Sequence, residues 1–152
     1  MSISTLPSFS VIGITVRTSN HNGAAGTDIP ALWQRFMADG IIASIPNMIE
    51  QNIHCIYTEY EGDYTQPYTV LLGMKVASLE EVPEGLTGMT FAEATYQDFH
   101  CQGKMTDGVV YQEWEKIWNM PIDRAYTADL EIYDASKSDN ENVSMNIHIA
   151  IK

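Results

Sequence analysis

Cysteine is nearly absent from this 152-residue chain: only Cys55 and Cys101 occur, which excludes the disulfide framework that holds small secreted domains together. Both are expected to be reduced thiols. Cations are scarce too. Eight Lys plus Arg stand against 20 Asp plus Glu, for a formal charge of -12. Such a chain is poorly suited to nucleic-acid phosphates or anionic lipid, since both are bound by positive neutralisation. No apolar run approaches the length of a membrane span, and residues 1–9 carry no basic leader, so a soluble cytoplasmic protein without a membrane partner is expected. No glycine-rich phosphate loop follows a strand signal and no nucleophile elbow is present, which leaves standard cofactor chemistry unsupported and no cofactor expected. His54 with Cys55 and His100 with Cys101 supply four side chains of metal-binding type. Adjacent strand residues point to opposite faces, however, and neither spacing is that of a zinc ribbon, so no metal site is expected.

What is present is an acidic chain, 45% hydrophobic, long enough to bury a substantial core as one domain over residues 1–152. Residues 9–17 mix β-branched and apolar types as a strand would, and the loop 18–27 follows with Gly23 and Gly26. A helix is predicted next, capped by Asp28, with Pro30 in its first turn and Trp33, Phe36, Met37 and Ile41 at helical spacing before Pro46. Residues 53–60 and 68–77 read as two strands joined by the polar turn 61–67. Segment 78–90, with Pro83, Gly85 and Gly88, is too polar and broken for a buried element.

The same order then returns. Residues 91–101 read as a strand, Thr106 or Asp107 caps a helix carrying Val110, Trp114, Ile117 and Trp118, and Pro121 ends it. Strands 129–133 and 143–151 follow, separated by the polar loop 135–142. The expected fold is therefore α+β: two strand-helix-strand-strand units, about 9–77 and 91–152, forming an antiparallel sheet. Both main helices lie on one side, with a cleft between the halves.

Within strand 129–133 Leu130 and Ile132 share one face, while Asp129, Glu131 and Tyr133 share the other. If the second face lines a cavity, a carboxylate among aromatics is a receptor for a cationic, partly apolar small molecule, because carboxylate and ring faces both attract positive charge. If it faces water, Glu131 is an ordinary surface acid. Tyr57 and Glu59 share a face of their strand and would add a second ring and a second acid.

Several features of the second half occur in a fixed order: Val82, Pro83, Glu84 and Gly85 before a strand; Tyr96 followed by Phe99, His100 and Gly103; a helix ending in Trp118 and Pro121; then Leu130, Glu131, Ile132 and Tyr133. In the first half, Gly73 lies between apolar residues of the strand 68–76. Together these features resemble the effector-binding domain of the GyrI-like and AraC-type regulators, and the resemblance spans nearly the whole chain. It implies a small-molecule pocket between the halves, often used for hydrophobic cationic compounds, with an acid at the position of Glu131. It also ranks Trp118 and Tyr133 above the other aromatics. The family's transcription factors add a helix-turn-helix module, for which there is no room before Phe9 or after Ile151, so the chain resembles a stand-alone member without direct DNA binding.

The expected ligand-binding set is Glu131, Tyr133, Trp118, Trp33, Tyr57, Tyr68, Tyr96, Phe99 and Trp114, with a hydrophobic cation as the partner. Two alternatives stay open. One is a small hydrolase of a reactive compound with Glu131 as general base in the same cleft; the other is a structural or inhibitory interaction protein without a ligand. Pairing of exposed sheet edges would give a homodimer.

Overall fold

Ile12, Ile14 and Val16 alternate with Val11 along the first apolar run, and this period of two places the two sets on opposite faces of a strand. In the computed structural model, which describes residues 2–139 and 141–152, the same alternation sorts the core. The elements are β1 (Ser2–Leu6), β2 (Phe9–Thr18), α1 (Ala24–Ala38), α2 (Ile41–Ser44), β3 (Met48–Thr58), β4 (Tyr68–Val76), β5 (Thr87–Phe91), β6 (Ala94–Lys104), α3 (Val109–Trp118), β7 (Ala128–Tyr133) and β8 (Asn142–Ala150). The strands form one antiparallel sheet in the order β1-β6-β8-β7-β3-β4-β2-β5.

The order is symmetric about the β3–β7 seam, and its two ends are exchanged. β1 precedes the first unit but pairs with β6 of the second, while β5 precedes the second unit but pairs with β2 of the first. Each half thus supplies the other's edge. On the helix side, Leu32 and Phe36 of α1 pack on Ile12, Ile14, Val70 and Leu72, and Trp114 and Ile117 of α3 pack on Phe99, Met145 and Ile147. On the other face, Val11, Ile56, Leu71 and Leu130 join Phe9 and Phe91 from one end of the sheet and Tyr96 from near the other. The sheet therefore curls, with both ends closing on a shared apolar cluster.

The sequence reading differs from this architecture at the ends of elements. Strand β1 is unannounced because its alternating Ser, Ile, Ser and Thr bury little. Strand β5 forms inside the segment expected to be only a break; as an edge it needs one ladder and no deep burial. Ala92 and Glu93 separate β5 from β6, so 91–101 is not one strand. Helix α1 starts four residues before the predicted cap, from Gly23 at φ 72°. Asp28 lies inside it and accepts a hydrogen bond from Thr18 Oγ1 at 2.8 Å. Helix α3 starts from Gly108 at φ 67°, because residues 105–107 form a 3-10 turn in place of a Thr106 or Asp107 cap. Met1 and Asn140, the latter in the predicted polar loop, lie outside the described residues.

Gly13 and Gly73 are partners across β2 and β4. A Cβ on Gly73 would lie 2.2 Å from the Ile12 carbonyl oxygen, and one on Gly13 2.0 Å from that of Leu72. The curl brings the two backbones closer here than any side chain permits. Gly73→Ala is expected to destabilise the fold by about 3 kcal/mol, the upper end for overpacking. Urea denaturation measures it, and a variant as stable as the parent would show that the contact relaxes freely.

Candidate functional site

Strands β3 and β7 are neighbours at the centre of the sheet, with Cys55 opposite Glu131 and Ile53 opposite Tyr133. Their helix-side residues form the floor of a cavity of about 880 Å³. Trp33 and Ile29 of α1 wall it on one side, and Trp114 and Trp118 of α3 on the other. An α+β sheet with two helices set apart on one face leaves this space because α1 packs on the first half and α3 on the second.

Glu131 occupies the floor and is 2% exposed. Tyr57 Oη donates to its Oε2 at 2.9 Å, Trp114 Nε1 donates to the same oxygen at 2.6 Å, and Tyr133 Oη donates to Oε1 at 2.7 Å. Burial raises the pKa of the carboxyl above its ordinary value, opposed by hydrogen bonds from Tyr133, Trp114, Tyr57 and Cys55. Burial likewise pushes up the Tyr57 and Tyr133 hydroxyls and the Cys55 thiol, the nearby Glu131 charge adding to each. These groups therefore stay neutral donors. Among the described residues no Lys, Arg or His forms an ion pair with Glu131.

A second buried carboxylate, Asp129, follows on the same face of β7 and is satisfied differently. Arg124 Nη2 donates to its Oδ2 at 2.7 Å, Tyr60 Oη to the same oxygen at 2.5 Å, and the Ala150 amide to Oδ1 at 2.9 Å. Removing one partner of a buried ion pair strands the other charge. Asp129→Ala is thus expected to cost about 3–5 kcal/mol of stability, with the loss of Asp123, exposed beside Lys152, as the silent control. Equal denaturation midpoints for the two variants would show that Arg124 finds other compensation.

The rings interlock across the cavity. Trp33 meets Tyr133 edge-on at 4.9 Å between centroids, Tyr57 meets Trp114 at 5.2 Å, and Tyr64 stacks on Trp118 at 5.7 Å with 8° between planes. Asn20 ties this end together: its Nδ2 donates to the Tyr64 carbonyl at 2.8 Å, and its Oδ1 accepts from Tyr68 Oη at 2.7 Å.

Of the expected site residues, Glu131, Tyr133, Trp33, Tyr57, Tyr68, Trp114 and Trp118 line this cavity. Tyr96 does not. It lies on the opposite face of the sheet, in the cluster with Phe9 and Phe91. Phe99 is on the helix side but lies in the core with Trp114, Ile117 and Met145 and is not part of the lining. Glu59 is exposed at φ 51°, since β3 ends at Thr58, and the left-handed step after it gives the inward place to Tyr60. Sequence reasoning missed Tyr60, Tyr64, Tyr111 and Arg124, all of which line the cavity. Tyrosines at the edge of and within the otherwise polar 61–67 turn were the available signal.

Comparison with known proteins agrees with this fold. Residues 2–151 match the model of the Cass2 family, described as an integron-associated effector binding protein. The integron cassette protein VCH_CASS2, from the mobile metagenome of Vibrio cholerae, is 26% identical, with a TM-score of 0.71 over 97% of this chain and 94% of that one. SAV2435, solved bound to tetraphenylphosphonium, shares the fold at a TM-score of 0.78 and 18% identity, over 99% of this chain and 93% of its own. YobU of Bacillus subtilis (strain 168), provisionally named as a transcriptional regulator, is 25% identical over 144 residues, covering 92% of this chain and 90% of its own length.

Proposed function

The chain belongs to the Cass2 family of integron-associated effector-binding proteins, and on that premise we propose that it binds hydrophobic cationic small molecules in the cavity between α1 and α3, with their positive charge at Glu131. One observation carries this reading: a buried carboxylate on the floor of a large ring-lined cavity has three neutral donors and, among the described residues, no cationic partner. A ligand cation would supply the missing charge. At 4 Å two opposite unit charges attract by about 1 kcal/mol in water but about 4 kcal/mol at an effective dielectric near 20. The shelter of the cavity thus gives Glu131 a leverage that a surface acid lacks. Ring faces of Trp33, Trp114 and Trp118 add apolar contact and cation–π attraction. The relative SAV2435, solved with a lipophilic phosphonium, supports the choice of ligand class.

Binding is favoured over hydrolysis because both carboxylate oxygens of Glu131 already accept hydrogen bonds from Tyr57, Trp114 and Tyr133, whereas a general base must reach the proton of the water it activates. A cavity of about 880 Å³ argues equally against a purely structural protein, whose seam side chains would fill.

The test uses tetraphenylphosphonium, which carries a fixed charge. Calorimetry is expected to show Glu131→Gln binding at least about tenfold more weakly, or about 1.4 kcal/mol. The pH dependence has a definite sign. The ionised form of Glu131 attracts the cation and the protonated form does not, and burial places its pKa above the ordinary 4.5. Affinity should therefore fall as pH drops through that raised value, by up to about tenfold per unit, with no such slope in Glu131→Gln. Parental affinity in the variant, or a flat profile in the parent, would end the electrostatic reading.

A further inference from the structure

We infer that Arg124 is a second recognition point of the same cavity, reading a hydrogen-bond acceptor on the ligand whose cation meets Glu131; the inference rests on the receptor reading above. The Arg124 side chain is 5% exposed and lines the cavity. Only Nη2 is used in the pairing with Asp129. Nε and Nη1 are buried and have no hydrogen-bond acceptor among the described residues. Around them lie the rings of Tyr126, 4.4 Å from the guanidinium carbon, and Tyr64, 5.9 Å away. Ring faces attract a cation but are poor acceptors for individual N–H groups.

Pairing with Asp129 alone does not call for this side chain, since a lysine would neutralise the carboxylate with one ammonium. Arginine adds a rigid fork of donors, and here the unused part of the fork is what remains unpaired. Both atoms are covered, so an incoming acceptor must displace part of that cover. Tyr64 is the neighbour placed to yield, because it belongs to the cavity lining, which Tyr126 does not, and its ring is the farther of the two from the guanidinium. Geometry also sets the spacing. Asp129 and Glu131 are successive residues on one face of β7, about 7 Å apart along the strand, and Arg124 lies at the Asp129 end. The favoured ligand is therefore an aromatic cation carrying a carbonyl or similar oxygen about one ring away from its positive charge.

Two dyes that share a xanthylium cation test this: tetramethylrosamine, whose pendant phenyl ring has no acceptor, and tetramethylrhodamine methyl ester, whose ring carries an ester carbonyl. Fluorescence-polarisation titration of the parent protein is expected to show the ester bound at least about fivefold more tightly. In Arg124→Lys, which keeps a charge for Asp129 but loses the fork, that ratio should fall to near one. A purely structural arginine would leave the ratio unchanged. Equal affinities in the parent, or a ratio retained in Arg124→Lys, would overturn the inference while leaving the role of Glu131 standing. If Glu131→Gln weakens neither dye, the receptor reading fails and this inference with it. The ratio in the parent needs no variant, so it decides the matter even where Arg124→Lys does not fold.

Discussion

A carboxylate taken out of water normally finds a cation or loses its charge. Glu131 sits between these outcomes. Tyr57, Trp114 and Tyr133 offset part of its desolvation through hydrogen bonds, yet none of the three brings a positive charge. The same three rings form the cavity surface around it, so the groups that keep the acid ionisable are also the apolar contacts available to a ligand. Their placement depends in turn on the β3–β7 seam, which sets Cys55 opposite Glu131 and Tyr57 opposite Asp129, and on α3, which delivers the Trp114 indole to the carboxylate.

Asp129 shows what the alternative looks like one step along the same face. There an arginine supplies the counter-charge, a tyrosine and a backbone amide complete the shell, and the group becomes part of the framework. Two acids of one strand, both hidden from water, thus differ in whether a cation is built in beside them. The curl of the sheet and its exchanged edges hold the two halves in one arrangement, and the cavity between the helices depends on that arrangement.

Much of the fold was legible because apolar residues repeat every two positions in the long strands and along one stripe in each main helix. The interior elements followed from that pattern. Short edges did not: β1 and β5 bury little, so neither period nor composition marks them. The helix starts at Ala24 and Val109 were misread because left-handed glycines, not capping side chains, begin both helices.

For the cavity, alternation along 129–133 placed Glu131 and Tyr133 on one face, and the periodicity of α3 grouped Trp114 with Trp118; those relations are local and the chain determines them by itself. Which face is covered is not local. Tyr96 and Phe99 point to opposite faces of β6 by alternation alone, but only packing puts the first in the far cluster and seats the second in the core under α3, outside the cavity lining. Arg124 and Tyr60 meet Asp129 only because the chain after β3 and the segment before β7 converge there. Strand periodicity fixes on which side of a strand a side chain points, whereas long-range packing alone decides whether that side meets water, another side chain or an open cavity.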